Sequence, residues 1–146
     1  YMTLKSKERS DIVEYRLERA IKTIKEVIDV GSLGYWTLAA NRLYYAAYYA
    51  SAALLISTDI DATTHRGVIR MISSSYVKTG ILHEEDSKLL GRLFTMRQSG
   101  DYEDLFDWEE KDVLPLIPQV KDYINRIQNI IESATQTNQI TTINYE

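Results

Sequence analysis

The sequence predicts an all-α fold: an up-and-down antiparallel helical bundle of four main helices plus a short extra helix. Apolar residues recur at helical spacing along most of the 146 residues. No segment shows the two-residue alternation of a half-buried strand. The breaks between helical segments are short, which makes sequential helices antiparallel neighbours.

The first helix is expected from about Ser10 to Val30, with Val13, Leu17, Ile21, Ile24 and Ile28 as its apolar stripe. Ser10 is placed to cap it and Gly31 to end it. The connection Gly31-Ser32-Leu33-Gly34 lacks the Lys-Ser/Thr ending of a phosphate loop. The second helix runs from about Trp36 to Ser57 and is the most informative part of the chain. At about 100° per residue, Leu43, Ala46, Ala47, Ala50, Ala53 and Leu54 fall on one face. Asn41, Tyr44, Tyr45 and Tyr48 fall on the other, with Arg42 and Tyr49 at its edge. Small residues let a neighbouring helix approach closely, and tyrosines pack their rings while keeping a hydrogen-bonding tip.

After the polar turn Thr58-Asp59-Ile60-Asp61, a third helix is expected from Thr63 to Val77, with Val68, Ile69, Ile72 and Tyr76 inward and Lys78-Thr79-Gly80 ending it. A fourth spans about Glu84 to Gly100, its start favoured by Glu84, Glu85 and Asp86 through the helix dipole. Asp107-Trp108-Glu109-Glu110 has capping-box spacing and opens the fifth segment, which continues towards Ser133. Pro115 and Pro118 imply a kink or a delayed start within it. Residues 1–9 read as a charged N-terminal extension, 10–134 as one bundle domain, and 135–146 as a polar tail expected to fray unless a partner orders it.

Composition removes whole classes of function. Without cysteine there is no disulfide scaffold, thiol nucleophile or cysteine-based zinc site, and a reducing, cytoplasmic setting is expected. The net charge of −4 excludes a generally basic surface, so any contact with RNA has to be local. The first residues are charged and contain no leader-like apolar run, and Tyr1 ahead of Met2 reads as a fragment boundary. Leu38–Ile56 is broken by Asn41, Arg42 and tyrosines, so no membrane span is expected.

Arg97 is the sharpest local anomaly. It shares the apolar face of the fourth helix with Leu90, Leu93 and Phe94, where a guanidinium is costly unless it is paired or opens into a cleft. Two readings stand: an ion pair, with Asp101 one turn on or with a neighbouring helix, or an Arg that meets phosphate or RNA in a groove. Gly100 lets Asp101 and Tyr102 turn towards Arg97. Asn41 and Arg42 form a second polar pair, early on the second helix. His65 and His83, each near a helix start, have no ligand-type neighbour at metal-binding spacing, so no metal and no cofactor are expected. The acids of Glu84/Glu85 and Glu109/Glu110 read as helix-start charges, and Arg9, Arg16 and Arg19 as a solvated stripe. Neither a Gly-x-Ser-x-Gly nucleophile elbow nor a Ser-x-x-Lys motif is present.

Four motifs occur in order: Asn41-Arg42-x-Tyr44-Tyr45-Ala46-Ala47-Tyr48, Thr64-His65-x-Gly67-Val68, Lys78-Thr79-Gly80-Ile81-Leu82 and Arg97-Gln98-x-Gly100-Asp101-Tyr102. Together they resemble the HEPN domain family, in particular its small prokaryotic branch with an Arg…Asp-Tyr signature. The resemblance covers about Ser10 to Glu132. It implies a helical bundle that forms a homodimer, with the functional residues of the second and fourth helices at the dimer cleft. It also implies a minimal nucleotidyltransferase partner in a toxin–antitoxin pair, and RNA or nucleotide as ligand. Active family toxins are metal-independent endoribonucleases whose signature is an Arg, then four to six residues, then a His. Arg97 matches the Arg, but Tyr102 and Asp104 stand where the His is expected. The expectation is therefore a nucleotide-, RNA- or partner-binding protein that does not cut. The alternative is an atypical ribonuclease using Arg97, Asp101 and Tyr102, with His65 as proton carrier if the fold brings it close. Asn41, Arg42, Tyr45 and His65 are the expected ligand-binding residues, and Tyr102 the candidate for adenylate modification by the partner.

Overall fold

The computed structural model describes residues 6–103 and 107–145, with side chains through residue 134. The described chain is helical: α1 (Ser6–Ser32), α2 (Trp36–Ser57), α3 (His65–Ile72) continued by a π-helical turn (Ser73–Val77), α4 (Glu84–Tyr102), α5 (Glu110–Val113) and α6 (Leu116–Tyr145). No strand occurs among the described residues.

Helix α2 is the axis of the bundle and packs against α1, α3, α4, α5 and α6. Its small face is fully used: Leu43, Ala46, Ala47, Ala50, Ala53 and Leu54 are all buried. Small side chains on α1 answer them, with Ala20 and Val27 buried and Gly31 lying under the ring of Trp36. This seam corrects the expected stripe of α1. Val13 and Ile24 are buried as expected, but Ile21 and Ile28 are exposed at 49% and 45%, because each follows Ala20 or Val27 and so turns about 100° away from the seam those residues occupy.

Several boundaries move as well. Helix α1 begins at Ser6, so Ser10 lies inside the helix and does not cap it. It runs through Gly31 to Ser32, and the glycine that makes the turn is Gly34, at φ +84°. The N-terminal extension is outside the described residues up to position 5, and residues 6–9 belong to α1. The third segment starts two residues late, at the Thr64 cap, and ends in a π turn that brings Tyr76 into the core and its hydroxyl to Thr58 Oγ1 at 2.9 Å. The fifth segment does start late. Asp112, not Glu110, closes the cap by accepting the Glu109 N–H at 3.1 Å, and Pro115 separates α5 from α6. The tail expected to fray is helical in backbone to Tyr145. No helix among the described residues is long and apolar enough to cross a membrane.

Two polar contacts cross the core. Ser51 on α2 and Tyr123 on α6 share a hydrogen bond of 2.7 Å. Asp86, read from sequence as a helix-start charge, is 1% exposed; it caps α4 by accepting the His83 N–H and forms an ion pair with Arg126 of α6. Replacing it removes the acceptor of the His83 N–H and the partner of the part-buried Arg126 guanidinium. Asp86→Ala should cost about 2–3 kcal/mol in urea unfolding, and an unchanged midpoint would deny the contact a structural role.

Candidate functional site

The site lies where the ring-bearing face of α2 meets the start of α3 and the end of α4. Helix α3 begins with Thr64, whose side chain accepts the Gly67 N–H at 2.9 Å. A Cβ on Gly67 would stand 2.8 Å from that same oxygen, so the motif needs glycine there to keep its cap. The cap fixes His65 at the first helical position, over the tyrosines of α2. Tyr44, 1% exposed, brings its hydroxyl within 2.6 Å of His65 Nδ1. Tyr48 stacks on the imidazole, with centroids 4.3 Å apart and planes at 14°. Tyr45 meets the same ring edge-on at 5.8 Å.

Arg97 arrives from α4. Its side chain is 16% exposed, and its guanidinium carbon lies 5.8 Å from the Tyr44 ring centre, 5.5 Å from Tyr45 and 5.7 Å from Tyr102. Nε approaches Asp101 Oδ2 at 3.2 Å but is buried without a hydrogen bond in line, so the pair is Coulombic. The same carboxylate oxygen accepts from Asn41 Nδ2 at 2.8 Å, which ties α4 to α2. Arg42 in turn donates to Asn41 Oδ1 at 3.1 and 3.2 Å, reaches Glu26 at 3.9 Å and covers the Tyr45 ring at 4.9 Å. Gly100 sits at a close approach, where a Cβ would meet Thr37 Cγ2 at 3.0 Å, tighter than ordinary contact.

All seven residues singled out from the sequence thus occupy one continuous cluster. Arg97, Asp101, Tyr102, Tyr45 and Asn41 are joined directly to one another, and His65 joins through Tyr44, Tyr45 and Tyr48. Arg42 lies at the margin, bound to Asn41 and Glu26. Tyr44 and Tyr48 were visible as ring-face residues but not as site residues, because what distinguishes them is His65, which lies on another helix. His83 stays apart as the residue preceding α4. Asp104 lies outside the described residues. No group of three or more His, Cys, Asp or Glu converges as a metal site among the described residues.

Electrostatics give the cluster a definite protonation state. Burial pushes the Tyr44 phenol well above its ordinary range, with Arg97 pulling the other way, so the hydroxyl stays protonated at neutral pH. Burial, and then the charge of Arg97, pull His65 below its ordinary value. The imidazole is therefore neutral at neutral pH and has one nitrogen able to accept a proton. A guanidinium held among rings beside a neutral imidazole has the chemistry to meet a phosphate and to stack a base.

With that geometry in place, comparison with known proteins assigns the relationship. The HEPN domain model matches residues 13–134. The chain belongs to the HEPN domain family. A UPF0332 protein of Thermotoga maritima is 31% identical over 125 residues, covering 86% of this chain and 95% of the relative. A UPF0332 protein of Archaeoglobus fulgidus is 25% identical, covering 83% and 96%. A protein of Methanocaldococcus jannaschii named "Putative toxin" is 23% identical, covering 83% and 82%.

The lowered His65 pKa carries a pH dependence in this HEPN domain. Between the folded and unfolded values the unfolded chain binds more protons. The stability this group contributes is therefore complete above 6.5 and is lost as pH falls through the folded value. An NMR titration of the His65 ring should give a midpoint below 6.5 that rises in Arg97→Ala. A midpoint at or above 6.5, unmoved by that substitution, would contradict the arrangement.

Proposed function

We propose that this HEPN domain binds the phosphate and base of an RNA strand or nucleotide at the Arg97 cluster. In this reading it is a component of a toxin–antitoxin type system, works as a cytoplasmic homodimer and is paired with a minimal nucleotidyltransferase. The observation that carries the reading is the placement of Arg97. Its guanidinium is drawn into the protein against tyrosine rings, beside a carboxylate already engaged by Asn41. Its pair with Asp101 is Coulombic, and its other contacts are with the rings of Tyr44, Tyr45 and Tyr102. Incoming phosphate oxygens would supply acceptors, and the rings of Tyr45 and Tyr102 would offer faces to a base. The name carried by the Methanocaldococcus relative supports the toxin-type assignment. Tyr102, 72% exposed, is the hydroxyl we assign to modification by the nucleotidyltransferase.

A second reading, metal-independent ribonuclease, is favoured by one specific observation: Tyr44 and Tyr48 hold a neutral His65 in the same cluster as Arg97. In that reaction His65, as the tautomer whose Nδ1–H donates to the Tyr44 oxygen, takes the proton of the RNA 2′-hydroxyl on Nε2, and O2′ attacks phosphorus. The 5′-oxygen then leaves with a proton from the Tyr102 phenol, giving a 2′,3′-cyclic phosphate and a 5′-hydroxyl. Arg97 stabilises the charge on the pentacoordinate phosphorus.

Two assays separate the readings. Fluorescence anisotropy with a labelled oligoribonucleotide should show affinity falling about tenfold or more in Arg97→Ala, with Arg97→Lys intermediate because an ammonium lacks the planar fork. Equal affinity of wild type and Arg97→Ala would overturn the binding reading. Incubation of RNA in EDTA should leave it intact with wild type and variants alike. Cleavage lost in both Arg97→Ala and His65→Gln would instead establish the ribonuclease.

A further inference from the structure

A second surface, at the α1–α2 turn, is unlike the rest of the molecule. Large hydrophobic side chains gather there in the open: Ile28 is 45% exposed, Tyr35 59%, Leu38 47% and Leu114 48%. They border two hollows, one of about 670 Å³ on the Tyr35–Leu38 side and one of about 460 Å³ on the Ile28–Leu114 side. The hollows share Gly34, Trp36 and Glu110, so the two form one groove across the Trp36 ring. Exposed apolar surface that collects in one concave place marks an interaction site, whereas single exposed residues do not.

The charge around this groove identifies its occupant. Asp107, Glu109 and Glu110 line the larger hollow, no Lys or Arg is among its lining residues, and Lys111 lies 3.3 Å from Glu109. Such a rim repels a nucleic-acid backbone. It also opposes a second copy of this chain, because a two-fold contact would set these carboxylates against their own copies. We propose that the groove is a docking site for a basic amphipathic helix of a partner protein. The apolar side of that helix would lie over Trp36 between Leu38 and Leu114, and its lysines or arginines would meet Asp107, Glu109 and Glu110. One wall of the groove is fixed to α4. The Trp108 indole N–H, on its wall, donates to the Met96 carbonyl at 2.8 Å, one residue before Arg97.

The probe is a labelled synthetic amphipathic helix of leucine and lysine, titrated against the full chain by anisotropy, with a leucine–glutamate helix as control. Saturable one-to-one binding is expected for the lysine peptide only. It should weaken about tenfold in Leu38→Ser and again in Glu110→Lys, and be unaffected by Arg97→Ala. Both substituted positions are exposed, and a thermal melt of each variant checks that the fold is intact. Absence of saturable binding, equal binding of the glutamate peptide, or indifference to both substitutions would overturn the proposal. So would a dimer that Leu38→Ser dissociates in sedimentation, which would make the occupant a second copy. Protection of Leu38 by an oligoribonucleotide would likewise replace the protein partner with RNA.

Discussion

A buried phenol must find a hydrogen-bond partner, and much of this molecule follows from where Tyr44 finds its own. The ring is 1% exposed, so an unmet hydroxyl would cost about 1–3 kcal/mol. His65 Nδ1 meets it at 2.6 Å. That contact fixes the start of α3 against α2 and holds the imidazole against Tyr48. It also leaves the opposite side of the cluster to Arg97, whose guanidinium lies near the same Tyr44 ring. The two faces of α2 divide the work. One is reduced to alanine so that α1 can pack closely, and the other carries the rings that organise the site.

The polar side of the site is a chain of dependence running between α2 and α4. Arg42 donates to Asn41, Asn41 donates to Asp101, and Asp101 balances the charge of Arg97. Because Asp101 serves Asn41 as well as Arg97, its carboxylate orients the guanidinium without saturating it. A phosphate could therefore enter without first displacing a complete set of hydrogen bonds. The HEPN family's usual histidine is missing after Arg97, and the one imidazole in the cluster comes from a different helix. This separates the binding role, which needs Arg97 and the rings, from the cutting role, which also needs His65 to reach the 2′-hydroxyl.

The architecture was largely legible because α2 announces itself. Its alanine run, the turn at Gly34 and the polar stretch after Ser57 set its limits where the structure has them. The expected α1 stripe holds at Val13 and Ile24 and fails at Ile21 and Ile28. Each of those two isoleucines follows a smaller residue, Ala20 or Val27, that takes the buried position, so it faces outward. Arg97 and Asp101 could be paired from sequence because they sit one helical turn apart. His65, Tyr44 and Tyr48 could not be joined, since only the fold relates residues on α2 to the start of α3. Asp86 was hidden by its company: next to Glu84 and Glu85 it resembles a helix-start charge, and its burial depends on Arg126, forty positions away.

The most direct test of this account is the position of a bound phosphate. A crystal structure of the chain with a short 2′-fluoro oligoribonucleotide, which cannot undergo attack by O2′, would locate it. The account predicts a phosphate within hydrogen-bond distance of the Arg97 guanidinium, with a base against Tyr45 or Tyr102 and His65 facing the sugar. A strand ordered elsewhere on the protein, with Arg97 still engaged only with Asp101, would contradict it.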